Sequence, residues 1–435
     1  MAKSYRPYVP EQDLLLPPSL RDWLPENHLA YFVSDVIDQL DLRAIESYYE
    51  REERGYPPYH PRMMTKILVY GYCVGVFSSR KLQKRLREDV AFRVLAAGNE
   101  PDFRTISDFR KLHLPALEGL FEQVLRMALE LGAMKLGRVA IDGSKVKANA
   151  SKHKAMSYKR MKEDEKRLRE QVRRLLEQAE ATDAAEDAAY GCDGRGDELP
   201  AELARREERL RRIREAKRAL EARVRAEAEA EGQSEEEAKK VKPEAKAQHN
   251  FTDPESRIMK GPDGFVQAYN AQIAVEPTLQ LIVGQTVTQQ GNDKKQLLPM
   301  IAKVEEQAGQ KPTGVLADTG YVSEENLRQV AEQGVEAHVA VGRQKHGQDV
   351  PPCPRGRIPK NASLLERMRR KLQTIAGRAI YARRKAIVEP VFGQIKQRQG
   401  FRQFLLRGIE NVSREWALVC MTHNLLKVHR LVCGT

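Results

Sequence analysis

The sequence predicts an α/β protein that combines a mixed sheet with an all-helical N-terminal region and a helical-hairpin insertion. Apolar residues recur at three- and four-residue spacing up to about residue 136, charged residues and alanine dominate residues 156–247, and strand-like runs alternate with helices late in the chain. We therefore divide the 435 residues into a helical N-terminal domain (1–136), the first part of an α/β domain (137–155), a charged coiled-coil-like insertion (156–247), and the remainder of the α/β domain with C-terminal helices (248–435).

The N-terminal region contains four helical segments, which are HLAYFVSDVIDQL, MMTKILVYGYCVGVF, RKLQKRLREDVAFRVLA and LPALEGLFEQVLRMALELG. Ser78 and Ser79 are suitable N-cap residues for the third segment. A helix, a short turn and a second helix with basic residues outward form the outline of a helix-turn-helix that reads DNA. An ordinary solvated charged face explains the pattern equally well. The residues concerned are Arg80, Lys81, Lys84 and Arg85.

The insertion carries two narrow apolar stripes. Leu168, Val172, Leu175 and Ala179 form the first, and Leu210, Ile213, Leu220 and Val224 form the second. The stretch DAAYGCDGRGDELP between them is typical of a loop. These features predict a long helical hairpin, and partial disorder is the alternative because charges interrupt the stripes.

The remaining segments predict a mixed sheet. RVAID and KVKAN form two short strands before the insertion; after it, FVQAYNAQIAV and LQLIVGQTVT are strands joined by a turn. A helix in KKQLLPMIAKVEEQ, a strand in GVLAD, a helix in SEENLRQVAEQG and a strand in VEAHVAV follow. Strands that alternate with helices after an antiparallel start predict a mixed sheet with helices packed on it.

Three acidic residues are candidate metal ligands. Asp142 and Asp318 end predicted strands, where sites in such sheets tend to lie, and Glu389 is the only acid among twelve Lys or Arg residues between Arg367 and Ile409. Each has an ordinary explanation: Asp142-Gly143 is a hairpin-turn signal, Asp318 could cap a helix, and Glu389 could pair with a nearby base. Together they fit Mg²⁺ or Mn²⁺, since three carboxylates can hold two ions about 3.5 to 4 Å apart for phosphoryl displacement.

Composition limits the partners and the location. The formal net charge of +13 and the pI near 9.4 favour a polyanion such as DNA, RNA or an anionic membrane. The sequence lacks an apolar run long enough to span a bilayer, and its N-terminus lacks the apolar core of a signal peptide. We therefore expect a cytoplasmic protein.

The five cysteines predict reduced thiols, because no CxxC pair is present. Cys420, His423, His429 and Cys433 resemble a zinc set by residue type. On one continuous helix, however, His429 and Cys433 lie about 180° and 220° from Cys420, so the four side chains cannot converge. A buried C-terminal helix explains the segment.

At this point the motifs resemble a known family. AIDGSKVKANAS, GNDKKQLLPM, LADTGY and above all VEPVFGQIKQRQGFRQFLLRG followed by HNLLK are similar to the DDE transposases of bacterial insertion sequences, and the N-terminal segments GYPPYHPRMMTKILVYGY and PDFRTISDFRK resemble the helical region of the same group. The resemblance implies an RNase H-like catalytic core whose metal-binding triad is Asp142, Asp318 and Glu389. It also implies that terminal inverted repeats are the DNA substrate and that a homodimer or larger assembly forms on DNA.

The resemblance also implies DNA-binding residues around Glu389. In the family, a lysine downstream of the glutamate and a tyrosine and an arginine upstream bind DNA. Lys396 matches the lysine and, on a regular helix, shares a face with Glu389 about 10 Å away. Tyr381 and Arg384 lie one residue too far upstream; Lys385 lies about 40° from Glu389 and Arg384 about 140°, so Lys385 is a candidate for the arginine's place. Pro390 is expected to start or kink the helix. Further phosphate contacts are expected from Arg398, Arg402 and Arg407.

These observations predict a DNA transposase that performs metal-dependent strand cleavage and strand transfer. The alternatives are a catalytically silent DNA-binding repressor or decayed copy, and a structure-selective nuclease with the same core.

Overall fold

The computed structural model describes residues 19–50, 57–132, 134–190, 201–230, 232–261, 264–342 and 352–434. The N-terminus before residue 19, and residues 191–200 of the loop predicted at 187–200 between the hairpin arms, lie outside these ranges, whereas residues 187–190 are the end of the first arm. Within the described ranges, no helix combines the length and the apolar character needed to cross a membrane.

The N-terminal region is helical, as the apolar spacing predicts. His28 and Asp102 cap two of the helices by accepting hydrogen bonds from backbone amides, and Pro61 occupies the first turn of another, where its missing N–H costs nothing. The sequence pattern did not indicate the short α2. The helices are α1 (Leu29–Gln39), α2 (Arg43–Tyr49), α3 (Pro61–Cys73), α4 (Ser79–Glu88), α5 (Val90–Leu95) and α6 (Phe103–Glu130).

A six-stranded mixed sheet forms the centre of the molecule. Its order is β4-β5-β1-β7-β8, and β6 also pairs with β5. β5 is antiparallel to β1 and β6, whereas β1, β7 and β8 are mutually parallel. This arrangement is that of an RNase H-like core, so the expected fold class is confirmed. The strands are β1 (Arg138–Lys147), β2 (Ala155–Ser157), β3 (Gln248–Asn250), β4 (Arg257–Gly261), β5 (Gly264–Val275), β6 (Ile282–Thr288), β7 (Gly314–Ala317) and β8 (Glu336–Val339).

One strand prediction is wrong. The segment predicted as two strands around Asp142-Gly143 is the single strand β1, which pairs with β5 from Ala140–Val275 to Lys147–Ala268. The Asp-Gly pair is therefore not a turn. Glycine is required there for another reason, since a Cβ at Gly143 would lie 2.1 Å from Nε2 of Gln272.

The remaining helices cover the sheet or form the insertion. A long C-terminal helix, α14, packs on α3, α6 and β6, so the N-terminal helices and the sheet share one hydrophobic core. The hairpin arms α7 and α8 pack on each other around a separate small cluster that includes Leu168 and Ile213. These helices are α7 (Tyr158–Tyr190), α8 (Ala201–Ala230), α9 (Glu235–Lys240), α10 (Leu297–Ala308), α11 (Glu324–Glu332), α12 (Leu364–Gln373), α13 (Ile375–Gly393) and α14 (Ile409–Cys433).

The histidines of α14 have structural partners. The ring of the buried His423 contacts the carbonyl oxygen of Gln280 at 3.1 Å, and that of His429 contacts the carbonyl oxygen of Asn27 at 3.1 Å. The four cysteines within the described ranges are free thiols. The segment is thus a packed helix, as its wheel predicts.

Candidate active site

Asp142 lies on β1, just beyond the point where β1 stops pairing with β7. Its side chain is 20% exposed and accepts a hydrogen bond from the amide of Gly143. Burial raises the pKa of Asp142 to about 6; the nearby Arg384 lowers this pKa, whereas the carboxylates of Asp318 and Asp293 raise it. Asp142 is therefore a largely buried carboxylate that has both a cation, Arg384, and two further carboxylates, Asp318 and Asp293, as neighbours.

Asp318 follows β7 directly. Its carboxylate accepts a hydrogen bond of 2.8 Å from the amide of Gly320 and caps a short 3₁₀ turn at residues 319–321. The capping role that the sequence left open is therefore present. It does not remove Asp318 from the site, because its charge acts on Asp142.

Glu389 reaches this cluster through Arg384. Both lie on α13, and the guanidinium of Arg384 is 3.4 Å from Oδ2 of Asp142 and 4.0 Å from Oε1 of Glu389. The Arg384 side chain is only 8% exposed, whereas that of Glu389 is 56% exposed. A buried guanidinium thus stands between the first and the third acid.

The donor set fits a hard divalent cation in chemistry. Carboxylate oxygens are the ligands that Mg²⁺ and Mn²⁺ prefer, and a bound cation would favour the ionised form of Asp142, which burial and the neighbouring carboxylates disfavour. Among the described residues, however, no three acidic, histidine or cysteine side chains converge closely enough to hold a metal ion. In this arrangement the guanidinium of Arg384 provides the positive charge.

Lys385 and Arg384 lie on different faces of α13. Lys385 is exposed, as is Glu389 four residues later, which agrees with the wheel angle between them, while Arg384 lies on the buried face of α13 with Ile387, Val388 and Val391. These three residues follow Arg384 by three, four and seven positions and therefore share its face of the helix. Although Arg384 and Glu389 lie on different faces, the arginine side chain is long enough for its guanidinium to approach Glu389.

Pro390 does not start a helix, which is one of the two outcomes expected for it, because α13 continues through it to Gly393. Proline has no N–H for the carbonyl group of Ala386, one turn earlier. That carbonyl oxygen instead accepts a hydrogen bond of 2.8 Å from Nε2 of Gln280. The sheet side of the molecule thus supplies the donor that the helix lacks.

Tyr381 and Lys396 border the same cluster. Tyr381 shares a side-chain hydrogen bond with Arg384, and burial raises the pKa of Tyr381. Lys396 lies in a π-helical turn at residues 394–398, so the interval from Glu389 is not the regular α-helix expected. Its Nζ contacts Oγ of Ser144 and the carbonyl oxygen of Lys145 on β1, and burial lowers its pKa.

The arginines after Lys396 lie on the surface. Arg398, Arg402 and Arg407 are exposed. Arg402 and Arg407 donate hydrogen bonds to the carbonyl oxygens of Lys396 and Asn149, at 3.1 and 3.0 Å. This surface continues from the acidic cluster along the end of β1.

Sequence reasoning gave no role to Asp293. Its Oδ1 accepts hydrogen bonds of 2.6 Å from both Asn270 and Gln272 on β5, and Nζ of Lys145 lies 3.5 Å away. The available signal was the motif GNDKK, one of the segments that carry the family resemblance.

The basic residues of α4 form an outward face. Ser78 is the N-cap residue of α4, without a side-chain capping bond, and Leu82 and Leu86 are buried beneath it. Arg80 stacks on Phe103 at 4.9 Å from the ring centroid. Lys81 is exposed, and Lys84 and Arg85 pair loosely with acids one turn on, at 3.7 and 3.4 Å.

Two family models match the chain. One, described as a transposase domain (DUF772), matches residues 18–112, and the other, described as a transposase DDE domain, matches residues 237–425. Asp318 and Glu389 fall within the second match, whereas Asp142 precedes it on the other side of the insertion. No curated protein and no solved structure matches the chain. With a transposase model on each side of the insertion and an RNase H-like sheet at its centre, the chain belongs to the DDE transposases of insertion sequences.

Proposed function

We propose that this DNA transposase binds the terminal inverted repeats of its insertion sequence, cleaves the DNA there and joins the freed end to target DNA. The observation that carries the proposal is the grouping of Asp142, Asp318 and the Arg384–Glu389 pair at one end of the parallel strands. Sites in such sheets lie at that end.

In this proposal Asp142, Asp318 and Glu389 would hold two Mg²⁺ or Mn²⁺ ions, which would supply activation of the attacking oxygen and stabilisation of the leaving one. The chain's own cations position the DNA. Phosphates would be neutralised by Lys396, which contacts β1, and by the exposed Arg398, Arg402 and Arg407. Further DNA contacts are proposed for Tyr381, Arg384 and Lys385, which precede Glu389 on α13. This part of the binding is blind to sequence.

Sequence reading is assigned to the N-terminal helices, with Arg80, Lys81, Lys84 and Arg85 on α4 as the contacting residues. We also propose that the chain is divided into a helical DNA-binding domain (1–136), two parts of the catalytic domain (137–155 and 248–435) and the helical insertion (156–247). A homodimer or larger assembly would hold two element ends together.

The test uses purified protein, DNA that carries the inverted repeat flanking the gene, and Mg²⁺. Asp142→Asn, Asp318→Asn and Glu389→Gln are each expected to abolish cleavage while retaining DNA binding. If wild-type protein binds the ends without cleaving them, it is a silent binder; if it cuts branched DNA regardless of end sequence and yields no joined product, it is a structure-selective nuclease.

A further inference from the structure

A cavity of about 470 Å³ lies where the helical insertion joins the catalytic core. Its walls come from the short ribbon formed by β2 and β3 and from the hairpin arms close to that ribbon. Its lining residues include Lys154, Met156, Arg160, Arg209, Arg212 and Phe251.

One wall of this cavity is cationic. Lys154, Arg160, Arg209 and Arg212 line it, and none of the described lining residues is acidic. Arg160 and Arg209 lie 4.0 and 3.9 Å from the carboxylate of Asp164, which also pairs with a third arginine outside the cavity. Arg212 pairs with Glu208 at 2.6 Å. Among the described residues, the four lining cations thus have two carboxylates within 4.0 Å, and both are shared with arginines outside the cavity, so the wall retains positive charge.

The cavity also has an apolar part that is held in place. Phe251 is 37% exposed although it is a large aromatic residue. Its amide donates a hydrogen bond of 3.0 Å to the carbonyl oxygen of Lys154, the residue before β2, which fixes the backbone of Phe251 beside the start of the insertion. Met156 and Ile213 line the same space and belong to the packing of the hairpin.

We propose that this cavity binds single-stranded DNA, with phosphates on the arginines and an unpaired base against Phe251. Proteins that hold single strands combine these two elements, because every base has a face that stacks on an aromatic ring. A duplex keeps its bases paired and would leave the exposed ring without a partner. The inference rests on the proposed function only in taking DNA as the ligand, and it gives the insertion a binding role.

The experiment measures binding of full-length protein to a fluorescent oligothymidine that contains one 2-aminopurine. Arg160→Gln combined with Arg212→Gln should weaken binding about tenfold and lower the slope of log affinity against log salt by about 1.4, because two phosphate contacts are lost. The matched control is Arg169→Gln combined with Arg173→Gln, two exposed, ion-paired arginines on the same arm as Arg160, and should change the affinity less than about twofold.

Phe251→Leu tests the aromatic wall while keeping it apolar. It should weaken binding about tenfold and abolish quenching of 2-aminopurine. Equal losses in the two arginine pairs, unchanged quenching in the Phe251→Leu variant, or equally strong competition by duplex DNA or by free dAMP would each overturn the proposal. Asp142→Asn should leave this binding intact, so failure of the catalytic proposal and failure of this one give different results.

Discussion

Arg384 should control the pH at which the acidic cluster binds a divalent cation. The pKa of Asp142 is raised to about 6, chiefly by burial, and Arg384 is the group that holds this pKa down. A cation needs the ionised carboxylate, so binding should strengthen as the pH rises through about 6 and level off above it.

The size of the Arg384 effect follows from the distance of 3.4 Å between its guanidinium and Oδ2 of Asp142. Coulomb attraction at that distance is about 1.2 kcal/mol at the dielectric constant of water and about 5 kcal/mol at an effective value near 20. At 1.36 kcal/mol per pKa unit, these limits correspond to about one and about three and a half units. In Arg384→Gln the pKa of Asp142 should therefore rise above about 7.

The assay is Mn²⁺ binding, followed by the electron paramagnetic resonance signal of the free ion, at a series of pH values. The Arg384→Gln curve should cross that of the wild type. Binding is weaker near pH 6, because Asp142 stays protonated, and stronger at high pH, because a buried positive charge is gone. Lys385→Gln, which removes an exposed cation next in sequence, should leave the midpoint unchanged. Coincident midpoints for wild type and Arg384→Gln would refute the reasoning.

Three further predictions concern stability. Gly75→Ala should lower the free energy of unfolding in urea by about 1 to 3 kcal/mol more than Gly98→Ala. Both glycines have φ near +75°, so both substitutions strain the backbone. Only at Gly75 would the added Cβ also meet a carbonyl oxygen, that of Gln399 at 2.5 Å. Glu415→Gln should cost about 1 to 3 kcal/mol in the same assay. The amide oxygen of glutamine can still accept the two backbone hydrogen bonds made to Oε2, but its NH₂ group cannot accept the hydrogen bond that the Tyr72 hydroxyl donates to Oε1 of the fully buried carboxylate. In metal-free protein, folding favours the protonated form of Asp142, because its pKa is raised from 3.8 to about 6. Its contribution to the free energy of unfolding is therefore present below pH 3.8 and is lost as the pH rises through about 6, a loss of at most about 3 kcal/mol. Asp142→Asn should flatten this part of the measured dependence of the unfolding free energy on pH.

Local sequence patterns predicted those parts of the fold that local forces determine. The helices α1, α3, α10 and α11 and the strands β5 to β8 follow from the spacing of apolar residues, because burial of one face depends on residues close in sequence. The turn at Asp142-Gly143 was wrong for the opposite reason. The pairing that extends β1 comes from β5, more than a hundred residues away, and it outweighs the Asp-Gly signal.

The candidate site was also predictable from the sequence only in part. The acids could be nominated from the chain because each follows a recognisable strand or motif. Their neighbours could not, since the approach of Arg384 to Asp142 and the hydrogen bonds of Asn270 and Gln272 to Asp293 depend on how α13 and β5 pack around β1. A helical wheel describes angles on one helix, and it does not include the reach of a long side chain toward a second element.

The N-terminal helices are joined to the chain just beyond the active site by buried polar contacts. The carboxylate of Glu415 on α14 bonds the hydroxyl of Tyr72 on α3 and the backbone amides of Leu405 and Leu406, and burial raises the pKa of Glu415. Because buried polar groups are costly to leave unpaired, a movement of α3 that breaks the Tyr72 contact must be compensated at Glu415 or at the two amides. Those amides follow the surface of Lys396 and Arg402 that we assign to DNA. Glu415 therefore contacts both the N-terminal helices, to which we assign sequence reading, and the segment that follows the residues we assign to phosphate contacts.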